Sequence, residues 1–231
     1  MKKTPQILVV LLLVVGAFFI KSYLKPTEIL YSGTIETPDI IAPVEVYFDT
    51  YGVPHVFAEN DDDMFFVAGY LGARDRLFQM AFMKYTYTGQ LSRVVNDTLF
   101  AEDKFLRTLG FESIAEKTLE KIPKELLSHL QKTCDGINAY AQSLSPAEYP
   151  LEFKLIGIEE LPTFEPKDIA GLSTLMAWEL QGGWDSELFF GAIQEQLGPE
   201  YLADILPGYR PNYITIASSE NVLLLGYQEF A

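Results

Sequence analysis

The chain has 231 residues, is 48% hydrophobic and 13% aromatic, and carries 17 Lys and Arg against 32 Asp and Glu, a formal net charge of −15. That length allows one domain with a real core, or one domain plus an anchor, and the apolar content excludes a disordered chain. The acidity argues against nucleic acid as a partner, because phosphate contacts need clustered Lys and Arg. A single cysteine, Cys134, excludes an internal disulfide framework and a multi-cysteine zinc site. Its helical surroundings favour a buried, inert thiol.

Lys2 and Lys3 precede the apolar run Ile7–Ile20, which ends at Lys21. A basic start before a short apolar stretch is an export-signal pattern. The only small-residue cleavage candidate, Val15-Gly16-Ala17, stands awkwardly before Phe18 and Phe19. Export with retention as an anchor over residues 1–24 is the expectation, and a buried core helix is the alternative. Residues 25–42 read as an extended linker.

Val44, Val46 and Phe48 alternate and predict a strand over 44–48. Gly52 and Pro54 turn the chain, and residues 55–58 predict a second strand, closing a hairpin. The acidic stretch 59–63 supplies caps and negative charge for a helix start. Phe66, Tyr70, Ala73, Leu77 and Met80 then recur at helical spacing and predict a helix over about 62–87. Further helices are predicted over 101–109, 112–121 and 123–143, from Pro166 to Leu180, and from Asp185 to Gly198, with a short one after it. Residues 143–153 and the tail from Arg210 read as loop or, for the tail, loop or strand. There are two histidines, His55 and His129, and neither a Gly-x-Ser-x-Gly, a His-Glu-x-x-His, a phosphate loop nor a dinucleotide fingerprint. A Ser-His-Asp triad is not expected. Pattern alone gives an α+β or mostly helical domain that is exported.

The stretch 44–80 closely resembles the N-terminal block of the penicillin acylase (penicillin amidase) family. The shared pattern is Asp49, Gly52, Pro54 and His55 in the turn, then Gly69, Tyr70, Ala73, Asp75, Arg76, Leu77, Gln79 and Met80. Residues 88–95 resemble a Gly-x-Leu-Ser/Ala-Glu block, with Arg93 in place of the usual acid. Residues 134–140 resemble a Gly-x-Asn-Ala segment, and the stretches around 164–180 and 184–188 resemble later helices. The agreement covers about residues 43–207, leaving 208–231 as a tail or the start of a spacer.

The resemblance implies an N-terminal hairpin followed by the mostly helical α-chain portion of an αββα N-terminal-nucleophile hydrolase. Such enzymes mature from a precursor, and the catalytic serine begins a separate β chain. That serine's own α-amino group titrates near neutral pH and serves as its base. No catalytic residue is therefore expected in this chain. Ser219, Asn221 and Gly226 echo the β-chain start, but Val222 stands where Trp belongs, and Ser219 reads as a loop or strand serine. The activity implied is hydrolysis of acyl amides, either β-lactam side chains or acyl-homoserine lactones, with a β chain as partner.

Residue by residue, Glu187 matches a calcium-ligating glutamate, with the remaining ligands expected on the β chain. A helix-start acid stabilised by the helix dipole is the alternative. Met176, Glu179 and Leu180 match positions that line the acyl pocket; an ordinary helix face is the alternative. Penicillin G acylases carry Arg-Phe where this chain has Glu179-Leu180, which counts against a penicillin G preference. Trp178 and Trp184 read as core or rim. Asp75 and Arg76 are expected in a structural ion-pair network where their helix meets the β chain. Apolar surface is expected to stay exposed at 62–87 and 172–190, including Phe65, Phe66, Phe78, Met80, Phe82, Leu175, Trp178, Phe189 and Phe190. A membrane-anchored, non-catalytic binding or scaffold domain, or a truncated remnant, is the competing reading.

Overall fold

The computed structural model describes residues 31–205 and, before them, residue 16 alone. The N-terminal apolar run and the tail that contains Ser219 lie outside the described residues. The chain divides into two units, residues 1–180 and 181–231.

The first unit opens with an antiparallel hairpin of β1 (Glu45–Phe48) and β2 (Pro54–Phe57). Glu45 pairs with Phe57, Val46 with Val56, Tyr47 with His55 and Phe48 with Pro54. Alternation puts Val46, Phe48, Pro54 and Val56 on the half-buried face and Tyr47, His55 and Phe57 on the exposed one. The Asp49 carboxylate accepts the backbone N–H groups of Tyr51 and Val53, and Gly52 adopts φ +77°, the left-handed region that a Cβ disfavours. Pro54 sits at the strand start, the position in a strand that tolerates a missing N–H.

Helix α1 (Asp61–Tyr87) begins at Asn60, whose side chain accepts the Asp63 N–H. It leaves helical geometry once, at Arg76 (φ −140°, ψ 23°). Two short helices follow, α2 (Leu91–Val94) and α3 (Phe100–Leu109), then α4 (Phe111–Leu119) and α5 (Lys124–Ser143). The predicted loop at 143–153 is instead a 3-10 turn at Pro146–Glu148, closed by a Ser145–Glu148 capping box, and helix α6 (Leu151–Ile156). Helix α7 (Pro166–Leu180) ends the unit. In the second unit, α8 (Trp184–Leu197) packs with α9 (Pro199–Ile205). No helix among the described residues is long and apolar enough to cross a membrane.

The main core forms where α5 packs along α1. Ala73, Leu77 and Ala81 meet Cys134, Ile137, Tyr140 and Ala141, and Phe153 and Phe164 close the cluster. Two glycines permit this contact. A Cβ on Gly69 would overlap the Thr133 carbonyl, and one on Gly136 would overlap the Phe66 carbonyl. A second cluster joins Tyr87, Leu91, Leu106, Phe111 and Leu175, with Trp178 packed against it. Phe66 and Leu175, expected on exposed apolar surface, are therefore buried at 2% and 0% within this chain. Phe82 and Phe189 are exposed as expected, at 37% and 58%.

Three buried carboxylates tie neighbouring segments together. Asp63 accepts the N–H groups of Ile41 and Ala42 and the Asn60 amide. Asp103 accepts from the backbone of Leu91 and Ser92 and from the Ser92 hydroxyl. Asp168 binds the Tyr87 hydroxyl, the Lys84 ammonium and the Glu165 N–H. Residues 41–42, expected to be free linker, are thus pinned to the start of α1.

Burial pushes the Asp63 carboxyl up, but the Ile41 and Ala42 N–H groups, the Asn60 amide and the Lys132 charge outweigh it and hold it below the usual carboxylate range. A lowered folded value means that the group's stabilisation is present above its unfolded pKa of about 3.9 and is lost as pH falls through the folded value. Asp63→Asn should lower stability at neutral pH by about 1–3 kcal/mol. It should also flatten the acid limb of the curve of stability against pH, measured by denaturant unfolding. An acid limb as steep as that of the unsubstituted protein would disprove this role.

The glycine contact gives a second test. Gly136→Ala should cost about 1–3 kcal/mol through overpacking. Gly182→Ala, whose Cβ would meet nothing within 4 Å, should stay within about 0.5 kcal/mol. Equal unfolding midpoints for the two variants would show that the helix contact relaxes freely.

Candidate functional site

Helix α7 has two faces with different fates. Asp168, Gly171 and Leu175 recur at helical spacing and are buried. Gly171 lies under the Tyr87 ring, which a Cβ there would strike. Half-buried Trp178 continues this side, with its ring 5.9 Å from both Phe105 and Phe111. It is a core-rim residue, as the sequence indicates. On the outer side, Met176, Glu179 and Leu180 are all exposed, Met176 at 47% and Leu180 at 81%. Their spacing of three and four residues places them together on one helix face. The three expected pocket residues therefore form one contiguous surface, with an apolar pair and a carboxylate beside it.

Glu187 is exposed on α8 in the second unit. A calcium ion takes six to eight oxygen ligands. Among the described residues no group of three or more His, Cys, Asp and Glu side chains is placed to hold a metal.

The remaining motif residues are placed as builders of the fold. Asp49 and Gly52 make the hairpin turn, and the His55 ring nitrogen lies 3.8 Å from the Asp49 carboxylate, both side chains well exposed. The Val53 N–H is the strongest influence holding the Asp49 carboxyl below its usual range. Asp75 accepts from Arg74 Nε at 2.8 Å, and the Arg74 guanidinium lies over the Phe48 ring at 4.7 Å and the Tyr31 ring at 5.6 Å. The pair found within this chain is thus Arg74–Asp75, which fastens the hairpin to α1; Arg76 is exposed at the helix break, and Gln79 is exposed. Asn138, in the Gly-x-Asn-Ala segment, exchanges two hydrogen bonds with the Phe164 backbone. An open groove of about 640 Å³ runs along β1 and the turn, lined by Tyr31, Tyr47, Asp49 and Tyr51 among others, with Asp49 already engaged in the turn.

Cys134 is fully buried, and burial, with the charge of Asp168 behind it, pushes its thiol up to about 12. It is an inert core thiol. His129 is half-buried and stacked on Phe65, 4.4 Å between centroids. The polar groups that sequence reading missed are Lys84, Tyr87, Asp63, Asp103 and Asp168. Asp63 and Asp168 were visible only as helix-start acids, and their partners lie 21 to 84 residues away.

A sequence model of the penicillin amidase family matches residues 43–226. The chain is 32% identical over 135 residues to the penicillin acylase 2 proenzyme of Pseudomonas sp. (strain SE83), spanning 58% of this chain and 17% of that protein. It is 28% identical over 130 residues to the penicillin G acylase of Escherichia coli, 55% of this chain and 15% of that one. It is 23% identical over 199 residues to the acyl-homoserine lactone acylase QuiP of Pseudomonas syringae pv. tomato, 83% and 23%. The chain thus spans less than a quarter of the length of these curated relatives. A solved thermostable penicillin G acylase from Alcaligenes faecalis superposes with a TM-score of 0.60 at 21% identity, covering 78% of this chain and all of that one, a likeness of fold. With a family match over most of its length and the shared motif residues building its hairpin and helix contacts, the chain belongs to the penicillin amidase family.

Proposed function

We propose that this chain is the α-chain portion of an exported acyl-amide hydrolase that works with a β chain bearing an N-terminal serine. The observation that carries the reading is the family match over residues 43–226. The relatives' names supply the chemistry: penicillin acylases and an acyl-homoserine lactone acylase both cleave an acyl group from an amine. In this reading the serine attacks the amide carbonyl, its α-amine takes the hydroxyl proton, and fixed donors stabilise the oxyanion, all on the β chain. This chain contributes the wall that holds the acyl group.

That wall is the exposed face of Met176, Glu179 and Leu180. Apolar side chains suit an acyl tail, and their burial against substrate supplies binding energy that is useful only if the carbonyl is presented correctly. Glu179 adds a negative charge at the rim. It disfavours a leaving group that carries a carboxylate, as a penicillin nucleus does, and is tolerant of a neutral lactone. Calcium belongs to this reading only as an ion shared with the β chain, with Glu187 as one ligand. It would supply structural cross-linking rather than chemistry.

The test is activity of the chain alone and of the complete precursor, assayed with phenylacetyl and long-chain acyl amides. The complete, matured protein should turn over at least one of them, and the chain alone none. Ser219→Ala should change nothing. Chelation should lower the melting temperature of the assembled protein, and Glu187→Ala should remove that calcium response. Turnover by the chain alone that Ser219→Ala abolishes would overturn the proposal. A matured protein inert on every acyl amide would instead favour the scaffold reading.

Export rests on Lys2 and Lys3 before Ile7–Ile20. Residues 1–24 fused to a reporter active only after export should give signal in the membrane fraction. A soluble cytoplasmic fusion would refute it.

A further inference from the structure

The buried polar group at the start of α7 ties that helix to the end of α1. Asp168 is 4% exposed and receives three donors: the Tyr87 hydroxyl at 2.5 Å, the Lys84 ammonium at 2.8 Å and the Glu165 N–H at 2.7 Å. Lys84 also donates to the Thr163 carbonyl at 2.6 Å and lies 5.5 Å from the Phe164 ring centroid. Both side chains come from the last turns of α1, the central helix of the core. One helical turn further along α7, Gly171 seats the helix directly on the Tyr87 ring. Tyr87, 1% exposed, thus touches α7 twice: by its hydroxyl at Asp168 and by its ring at Gly171.

We propose that Tyr87, Lys84 and Asp168 are positioning residues that set the angle of α7 and thereby the placement of the acyl-binding face of Met176, Glu179 and Leu180. The inference rests on the acylase reading given above. Its leverage is geometric. At about 1.5 Å rise per residue, Met176 lies about 12 Å and Leu180 about 18 Å from Asp168 along the helix. A tilt of about 5° at Asp168 then displaces the face by roughly 1–1.5 Å, a misplacement of the size that costs on the order of a hundredfold in a well-oriented reaction. Leu175 and Trp178 hold the helix down against the second core cluster, and the hydrogen bonds to Asp168 add directional ties at its start.

The experiment uses the complete, matured protein and a series of amides of one amine, from phenylacetyl to long-chain acyl. Tyr87→Phe removes the hydroxyl and keeps the ring. Lys84→Met keeps the stem and removes the charge from a side chain that is 19% exposed. Each variant should raise KM for the preferred acyl group on the order of tenfold, with a smaller fall in kcat, and should flatten the preference among acyl groups. Variants that melt at lower temperature but keep the unsubstituted KM and acyl preference would show a merely structural tie and overturn the inference. If Tyr87→Phe does not accumulate, Lys84→Met decides by the same readout. An unsubstituted protein inert on every acyl amide overturns the acylase reading and this inference with it. An active protein whose two variants keep its acyl profile overturns this inference alone.

Discussion

A carboxylate taken out of water must be saturated with donors, or the folded state bears several kcal/mol of uncompensated desolvation. This constraint organises the first unit. Asp63, Asp103 and Asp168 are at most 4% exposed, and each gathers at least three donors from the chain around it. Five of those nine donors are backbone N–H groups, three in segments without regular structure (Ile41, Ala42 and Glu165) and two in the first turn of α2 (Leu91 and Ser92). Such groups would otherwise lack partners where they meet the core. Each aspartate therefore solves two problems at once: its own charge, and the orphan amides of a loop or of a helix start. The described buried side-chain polar atoms all find partners, so this mode of closure is complete within the part of the chain described.

The helix packing follows from a second, steric constraint. Backbone approach as close as that between α1 and α5 is open only to glycine at the contact, and Gly69 and Gly136 occupy it reciprocally, each against the other helix's carbonyl. Gly69 belongs to the segment 69–80 by which the family is recognised, and Gly136 to the segment 134–140. Ala73 and Leu77 from the first segment are core residues at 0% and 2% exposure, and Asn138 from the second pins the Phe164 backbone. The motif is thus mostly a record of how this fold is assembled. It identifies the family strongly and says little about chemistry.

Much of this was legible in the sequence, for reasons that can be named. The hairpin followed from period-two alternation and the Gly52 and Pro54 turn. The helices followed from apolar spacing, and Asn60 was visible as a cap because capping is local. What was not legible depends on distance or on coincidence of weak signals. Lys84 and Tyr87 read as the end of an amphipathic helix, and nothing near them signals that Asp168, more than eighty residues on, is their partner. Helix α6 was missed because prolines at 146 and 150 look like loop punctuation, whereas each also suits a helix start. The charged triplet 74–76 signals an ion-pair network in the sequence but does not say which arginine Asp75 engages within this chain. Arg76 stands exposed at the backbone break, and within this chain Arg74 is the arginine that donates to Asp75.

The same division runs along α7. Asp168, Gly171 and Leu175 are locked by Tyr87, Lys84 and the second core cluster, and a change at any of them leaves a cavity, a clash or an unpaired charge. Met176, Glu179 and Leu180 are exposed, where substitution alters stability by only a few tenths of a kcal/mol. The fold therefore permits those three positions to change independently of its own stability. A face whose backing is rigid and whose side chains are free to vary can change what it binds without changing where it holds it.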